Sequence, residues 1–179
     1  MTYPVFASGD VLNASDMNAV GSWLVKTQTI GSAVSSVTVT DAFSSNYDNY
    51  YITVTGGVAS TAINLNLTLG ATTSGYYFAG IYVQYTSASV TGYVNTNTTS
   101  WQAFGRGTTA SLNAAGTLFG PNLAKNTHIH YTNTGAATAD YYQTIGGYLA
   151  DTTQYTALTI TTSAGTITGG TIRVYGLRN

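Results

Sequence analysis

The chain has 179 residues, of which 44% are hydrophobic and 12% aromatic but only 6% charged, with a formal net charge of −1. That length holds one domain with a substantial core, or one domain and a short appendage, and the apolar content excludes an intrinsically disordered chain. The balanced charge gives neither the basic footprint of a nucleic-acid binder nor an acidic steering field, and no stretch approaches the ~20 apolar residues of a membrane-spanning helix.

All six acidic residues are Asp, there is no Cys, and the chain carries 15 Tyr and 20 Gly among abundant Thr. Thr, Val, Ile and Tyr favour strands, whereas the scarce Glu, Lys, Arg and Gln favour helices. The expected fold is therefore all-β. Without Cys there is no disulfide framework and no thiol chemistry. A near-neutral surface is a solubility hazard for a lone chain; either assembly covers much of it, or Thr, Ser and Asn keep it wet. Met1-Thr2-Tyr3-Pro4 lacks the basic start of a signal peptide, so the expected product is cytoplasmic and not inserted in a membrane.

Residues 1–27 differ from the rest and form an expected attachment segment, with a β domain over 28–179. Asn13 is a good helix N-cap, with Asp16 three residues on. Leu12 and Met17 occupy the positions of a hydrophobic staple, and Met17, Val20, Gly21 and Leu24 share one helical face. The spacing predicts one short amphipathic helix, too short to stand alone.

From Thr29 the pattern becomes strand, turn, strand. Val34, Val37 and Val39 open it, a polar corner runs from Asp41 to Asn49, and Tyr50–Thr55 is a strand closed by Gly56-Gly57. Ile63, Leu65, Leu67 and Leu69 alternate with Asn64, Asn66 and Thr68, the cleanest period of two in the chain. After a turn at 70–75, residues 76–85 form a strand with large groups on both faces. Residues 86–100 read as a loop. Trp101–Gly105 returns to strand, with a tight turn or bulge at Gly105-Arg106-Gly107. Further strands are expected at 127–131, 141–149 and 155–161. Residues 166–168 then form a strand, Gly169-Gly170 a turn, and a last strand runs to Asn179 with Ile172 and Val174 facing inward. About nine strands separated by turn signals argue for an antiparallel β-sandwich or jelly roll.

No catalytic constellation is legible. The six Asp sit at the helix cap and at turns, where Asp serves backbone hydrogen bonding. No nucleophile elbow, phosphate-binding glycine loop or zinc spacing is present, so the chain is expected not to be an enzyme. His128-Ile129-His130 would send both imidazoles to one side of a strand, ~7 Å apart. Around a three-fold axis such pairs could hold a metal ion; the simpler alternative is an ordinary solvent face. The tyrosine pairs Tyr50-Tyr51, Tyr76-Tyr77 and Tyr141-Tyr142 must each send one ring inward and one outward. Tyr77, Tyr82, Tyr93 and Tyr142 are the candidates for a binding or subunit surface. Trp23 is expected to anchor the helix and Trp101 the core.

Two segments carry a resemblance. Phe6-Ala7-Ser8-Gly9-Asp10-Val11-Leu12-Asn13-Ala14-Ser15-Asp16-Met17-Asn18 resembles an opening common in bacteriophage tail and fibre proteins, with Asn13 where Thr is more usual. The block Tyr47–Gly56, together with Gly169–Gly176, is similar to β-rich phage structural proteins. The resemblance implies a virion component, commonly a homotrimer, made without a signal peptide, and does not imply an enzyme. Phe6, Val11, Leu12, Met17, Val20, Trp23 and Leu24 would attach it to other virion proteins, and the β domain would meet host-surface glycan. A capsid decoration or head-fibre protein is the alternative expectation, followed by a free lectin or glycan hydrolase.

Overall fold

The computed structural model describes residues 8–9, 21–135 and 140–177. Every described element is a strand. These are β1 (Ser22–Thr29), β2 (Ser36–Val39), β3 (Asn49–Ala59), β4 (Ile63–Leu69), β5 (Tyr76–Gln84) and β6 (Val90–Thr98). There follow β7 (Trp101–Gly107), β8 (Leu112–Phe119), β9 (Thr127–Thr134), β10 (Tyr141–Leu149), β11 (Leu158–Thr162) and β12 (Ile167–Leu177). All pairings are antiparallel. The fold is all-β and sandwich-like, as the composition requires.

One hydrogen-bonded path forms both layers. An eight-stranded limb runs β1-β12-β3-β8-β9-β10-β5-β6, and a four-stranded limb runs β2-β11-β4-β7. They join at β8, whose first residues pair with β7 (Gly107↔Leu112, Gly105↔Ala114) before the same edge passes to β9 (Ala115↔Thr132). The short limb then lies over the inner face of the long one. Trp101 of β7 meets Tyr76 of β5 edge-on at 4.9 Å, and Phe104 packs on Tyr131 of β9 at 5.6 Å. The Tyr131 hydroxyl donates to the Gln102 carbonyl across the same gap, at 2.7 Å.

The core follows the alternation. Ile63, Leu65, Leu67 and Leu69 are all buried, as are Tyr50, Ile52 and Val54 of β3, Ile172 and Val174 of β12, and Trp101. Burying each such side chain is worth ~1.5–3 kcal/mol, which is how a chain with so few charges holds its layers together. Each tyrosine pair divides as the pleat demands: Tyr50 and Tyr76 are buried, Tyr51 and Tyr142 exposed, and Tyr77 and Tyr141 half-buried.

Three expectations are corrected. Trp23 and Leu24 lie in strand β1, which pairs with β12 (Trp23↔Gly176, Leu24↔Tyr175) and crosses the expected boundary at 27/28. An open edge on β12 outweighs a weak helical pattern. The other attachment residues, Phe6, Val11, Leu12, Met17 and Val20, and the rest of the expected helix, lie outside the described residues. Residues 90–98, read as loop, are strand β6, paired to β5 from Val83↔Val90 to Tyr76↔Thr98. Its mostly exposed side chains give no hydrophobic period to detect. Strand β8 has no counterpart among the expected strands, because its small residues Ala114, Ala115 and Gly116 carry little apolar signal.

Gly169-Gly170 is not a turn between two strands: β12 runs straight through it, with positive φ values (+67° and +87°) and an unbroken register to β3 on both sides. The irregularity expected at Gly105-Arg106-Gly107 sits slightly earlier. The β4–β7 register shifts between Leu65↔Gly105 and Leu67↔Trp101, with Ala103 at φ +53°. Asn66 accepts a hydrogen bond from the Ala103 N–H, and Asn133 and Gln143 donate side-chain amides to its carbonyl. Three amide side chains hold a backbone conformation that a non-glycine residue rarely adopts.

Candidate functional site

Two surfaces stand out, on opposite faces of the long limb. The outer face carries cross-strand rows set by register. One row is Tyr77, Tyr148, His128 and Phe119 on β5, β10, β9 and β8. The next is Ala79, Gly146, His130, Thr117, Tyr51, Tyr175 and Leu24. Tyr77 and Tyr148 stack at 5.0 Å with an interplanar angle of 7°. Beside them Gly146 leaves a shallow apolar depression of about 270 Å³, also lined by Ala79 and Val94. Leu24 is 55% exposed, Ile81 47%, Tyr142 44% and Phe119 43%, so large apolar groups stand in water across the whole sheet. Charge is nearly absent: no Asp, Glu, Lys or Arg occurs between Asp48 and Arg106, and Arg173 is the one charged strand residue among the rows just described and their neighbours.

His128 and His130 lie on this face, both exposed, with Ile129 buried between them. The His130 ring bonds the Thr144 hydroxyl at 3.2 Å, and His128 sits 6.1 Å from the Tyr148 ring. Among the described residues no group of three metal-ligating side chains comes together, so a metal site would have to draw ligands from sister chains.

The second surface is a cleft of about 270 Å³ where the limbs splay, lined by Asn64, Tyr82, Gln84, Tyr93, Ala103, Tyr141 and Gln143. The inward phase of β5, β6 and β10 supplies the tyrosines and glutamines, and β4 and β7 supply Asn64 and Ala103. Gly80, which pairs with Tyr93, lets β5 lie close against β10: a Cβ there would meet Ile145 and the Thr144 carbonyl. Tyr82 and Tyr141 rings lie 5.5 Å apart and tilted. Beneath them Arg106 donates to Asp140 at 2.7 Å and to Asn64 at 2.9 Å, with its guanidinium 5.3 Å from the Tyr141 ring. The Tyr141 hydroxyl also donates to Asn64, at 3.0 Å. Burial raises the hydroxyl pKa of Tyr141, with Arg106 pulling it partly back, and burial likewise raises that of Tyr93. Both stay neutral donors at physiological pH.

No family model, no curated protein and no solved structure matches the chain.

Of the tyrosines singled out in the sequence, Tyr82 and Tyr93 meet in the cleft, while Tyr77 and Tyr142 lie on the opposite, outer face. The sequence reading missed Gln84, Gln143 and Tyr141. Their signal was there: Gln84 and Gln143 occupy the inward phase of strands whose other inward residues are apolar or aromatic.

The described aspartates have structural partners. Asp140 pairs with Arg106, and Asp41 lies 3.5 Å from Lys26. Asp151 accepts from Thr153 and from the Tyr155 hydroxyl, and these bonds lower its pKa.

Proposed function

We propose that this chain is a structural component of a bacteriophage virion and not an enzyme. In this reading it is a homotrimeric tail-fibre or tail-associated protein, anchored through the segment that precedes β1 and presenting its β domain to the host surface. The observation that carries the proposal is the outer face of the eight-stranded limb. An aromatic sheet face of that extent with so little charge suits the surface of a subunit better than that of a free globule. Sister copies are the occupants that suit it, because like surfaces without charge do not repel on meeting. The resemblance of residues 6–18 to the openings of phage fibre proteins supports the attachment role, and the aspartates engaged in ion pairs and turn hydrogen bonds fit a non-catalytic chain.

Two measurements test the reading. Light scattering after size exclusion gives the oligomeric state, expected to be a trimer. Immunogold microscopy of particles, with antibody to the β domain, is expected to label tails. Label over the head would make this a capsid decoration protein, and unlabelled particles would overturn the virion reading.

A further inference from the structure

We infer that the cleft between the limbs is a binding site for a neutral saccharide, reading a single sugar ring through Tyr82, Tyr93, Gln84 and Gln143. This rests on the host-surface role proposed above for the choice of a glycan, but the geometry stands by itself. A pyranose offers an apolar face of C–H groups and a rim of hydroxyls that both donate and accept. The recognition it needs is an aromatic wall beside amide side chains, which carry donor and acceptor on one group. The cleft has that pairing and is near the lower size limit of small-molecule pockets, about 300 Å³.

The cleft keeps polar side chains at its lining beside those already bonded within the protein. Tyr82 is half-buried and Gln84 exposed, and both line the cleft, where their polar groups can meet a ligand. Gln143 is buried and commits its N–H to the Ala103 carbonyl at 2.6 Å, which leaves its carbonyl oxygen for the cleft. Tyr93 is steadied by donating to Gln102 at 3.2 Å. The charge beneath is neutralised, since Arg106 is held by Asp140, so the site selects against charged ligands. The framework is also rigid: the Ala103 bulge, clamped by Asn66, Asn133 and Gln143, fixes one wall. Fixing a wall before binding reduces the ordering cost of a weak polar ligand.

The experiment is side-chain amide NMR of the full chain, titrated separately with glucose, galactose, mannose, rhamnose and N-acetylglucosamine. At least one sugar is expected to shift the Gln84, Gln143 and Asn64 amide signals. Tyr82→Ala is expected to weaken that binding on the order of tenfold, while Thr38→Ala, on the far edge strand β2, leaves it unchanged. Because Tyr82 is only half-buried, the variant should fold, and Gln84→Ala at an exposed position gives the same test a second time. The inference is overturned if no sugar moves these signals, if the shifts cluster on the outer face, or if both variants bind as wild type. Any of those results with tail label on particles leaves the virion reading standing; binding without label removes that reading and keeps the cleft.

Discussion

Placing a carboxylate at the centre of the outer face separates the fold from its assembly. Thr117 lies there, half-buried on β8 between His130 and Tyr51. Eight strands at ~4.8 Å spacing and about seven residues at ~3.3 Å give a face of roughly 34 by 23 Å, or about 800 Å². A standard interface buries about 800 Å² on each partner, so the face suffices for a stable contact and Thr117 would sit in its dry middle. Thr117→Glu in the lone chain costs at most ~1 kcal/mol of strand preference, because the side chain points to water. In the assembly it buries an unpaired charge, at a cost of ~3–5 kcal/mol. A loss of ~4 kcal/mol is about a thousandfold in Kd. Sedimentation velocity over a concentration series should therefore show wild-type trimers and Thr117→Glu monomers, with the same far-UV circular dichroism. Thr38→Glu, at an exposed position on the edge of the short limb, should assemble normally. A wild-type chain that stays monomeric, or a Thr117→Glu chain that assembles like wild type, refutes the reasoning.

Three further outcomes concern the fold. Leu67→Ala removes a fully buried side chain from β4 and should cost ~2–5 kcal/mol, read as a lower urea midpoint with an unchanged slope. Gly170→Ala would put a Cβ 2.7 Å from the Gly57 nitrogen and the Thr55 carbonyl at φ +87°. A loss of about 1–3 kcal/mol is expected from that strain, whereas Gly146→Ala on the open face, with no atom nearer than the Ile129 carbonyl at 3.9 Å, should leave the melting temperature almost unmoved. Burial raises the hydroxyl pKa of both Tyr76 and Tyr131. A folded-state pKa raised above the unfolded one leaves stability intact below the ordinary tyrosine range, ~10, and erodes it as pH rises beyond. Denaturation midpoints should fall above that pH, and the two rings should yield tyrosinate absorbance only on unfolding.

Much of the fold was written in local pattern. The alternation of Ile63 to Leu69 dictates one buried and one polar side whatever the partner strands are, and Tyr50-Tyr51 must split across a sheet because neighbouring side chains on a strand point apart. His128 and His130 share a face for the same reason. Composition alone, rich in Thr and Tyr and empty of Glu, excluded a helical protein.

Tertiary structure decided what local pattern does not encode. Strand β6 has an unreadable period because its outer edge and most of its side chains face water, and only pairing with β5 makes it a strand. Leu24 fits a helical stripe in isolation, but the free edge of β12, more than 140 residues away in the chain, claims it for a sheet. The cleft is the clearest case. Tyr82, Tyr93 and Tyr141 come from three strands, and Ala103 from a bulge in a fourth. Their meeting depends on how the short limb folds back at β8, which no single segment specifies. Side-chain direction along a strand is a property of the pleat and can be read from sequence; which strands lie side by side depends on long-range register, settled only when the whole sheet closes on its core.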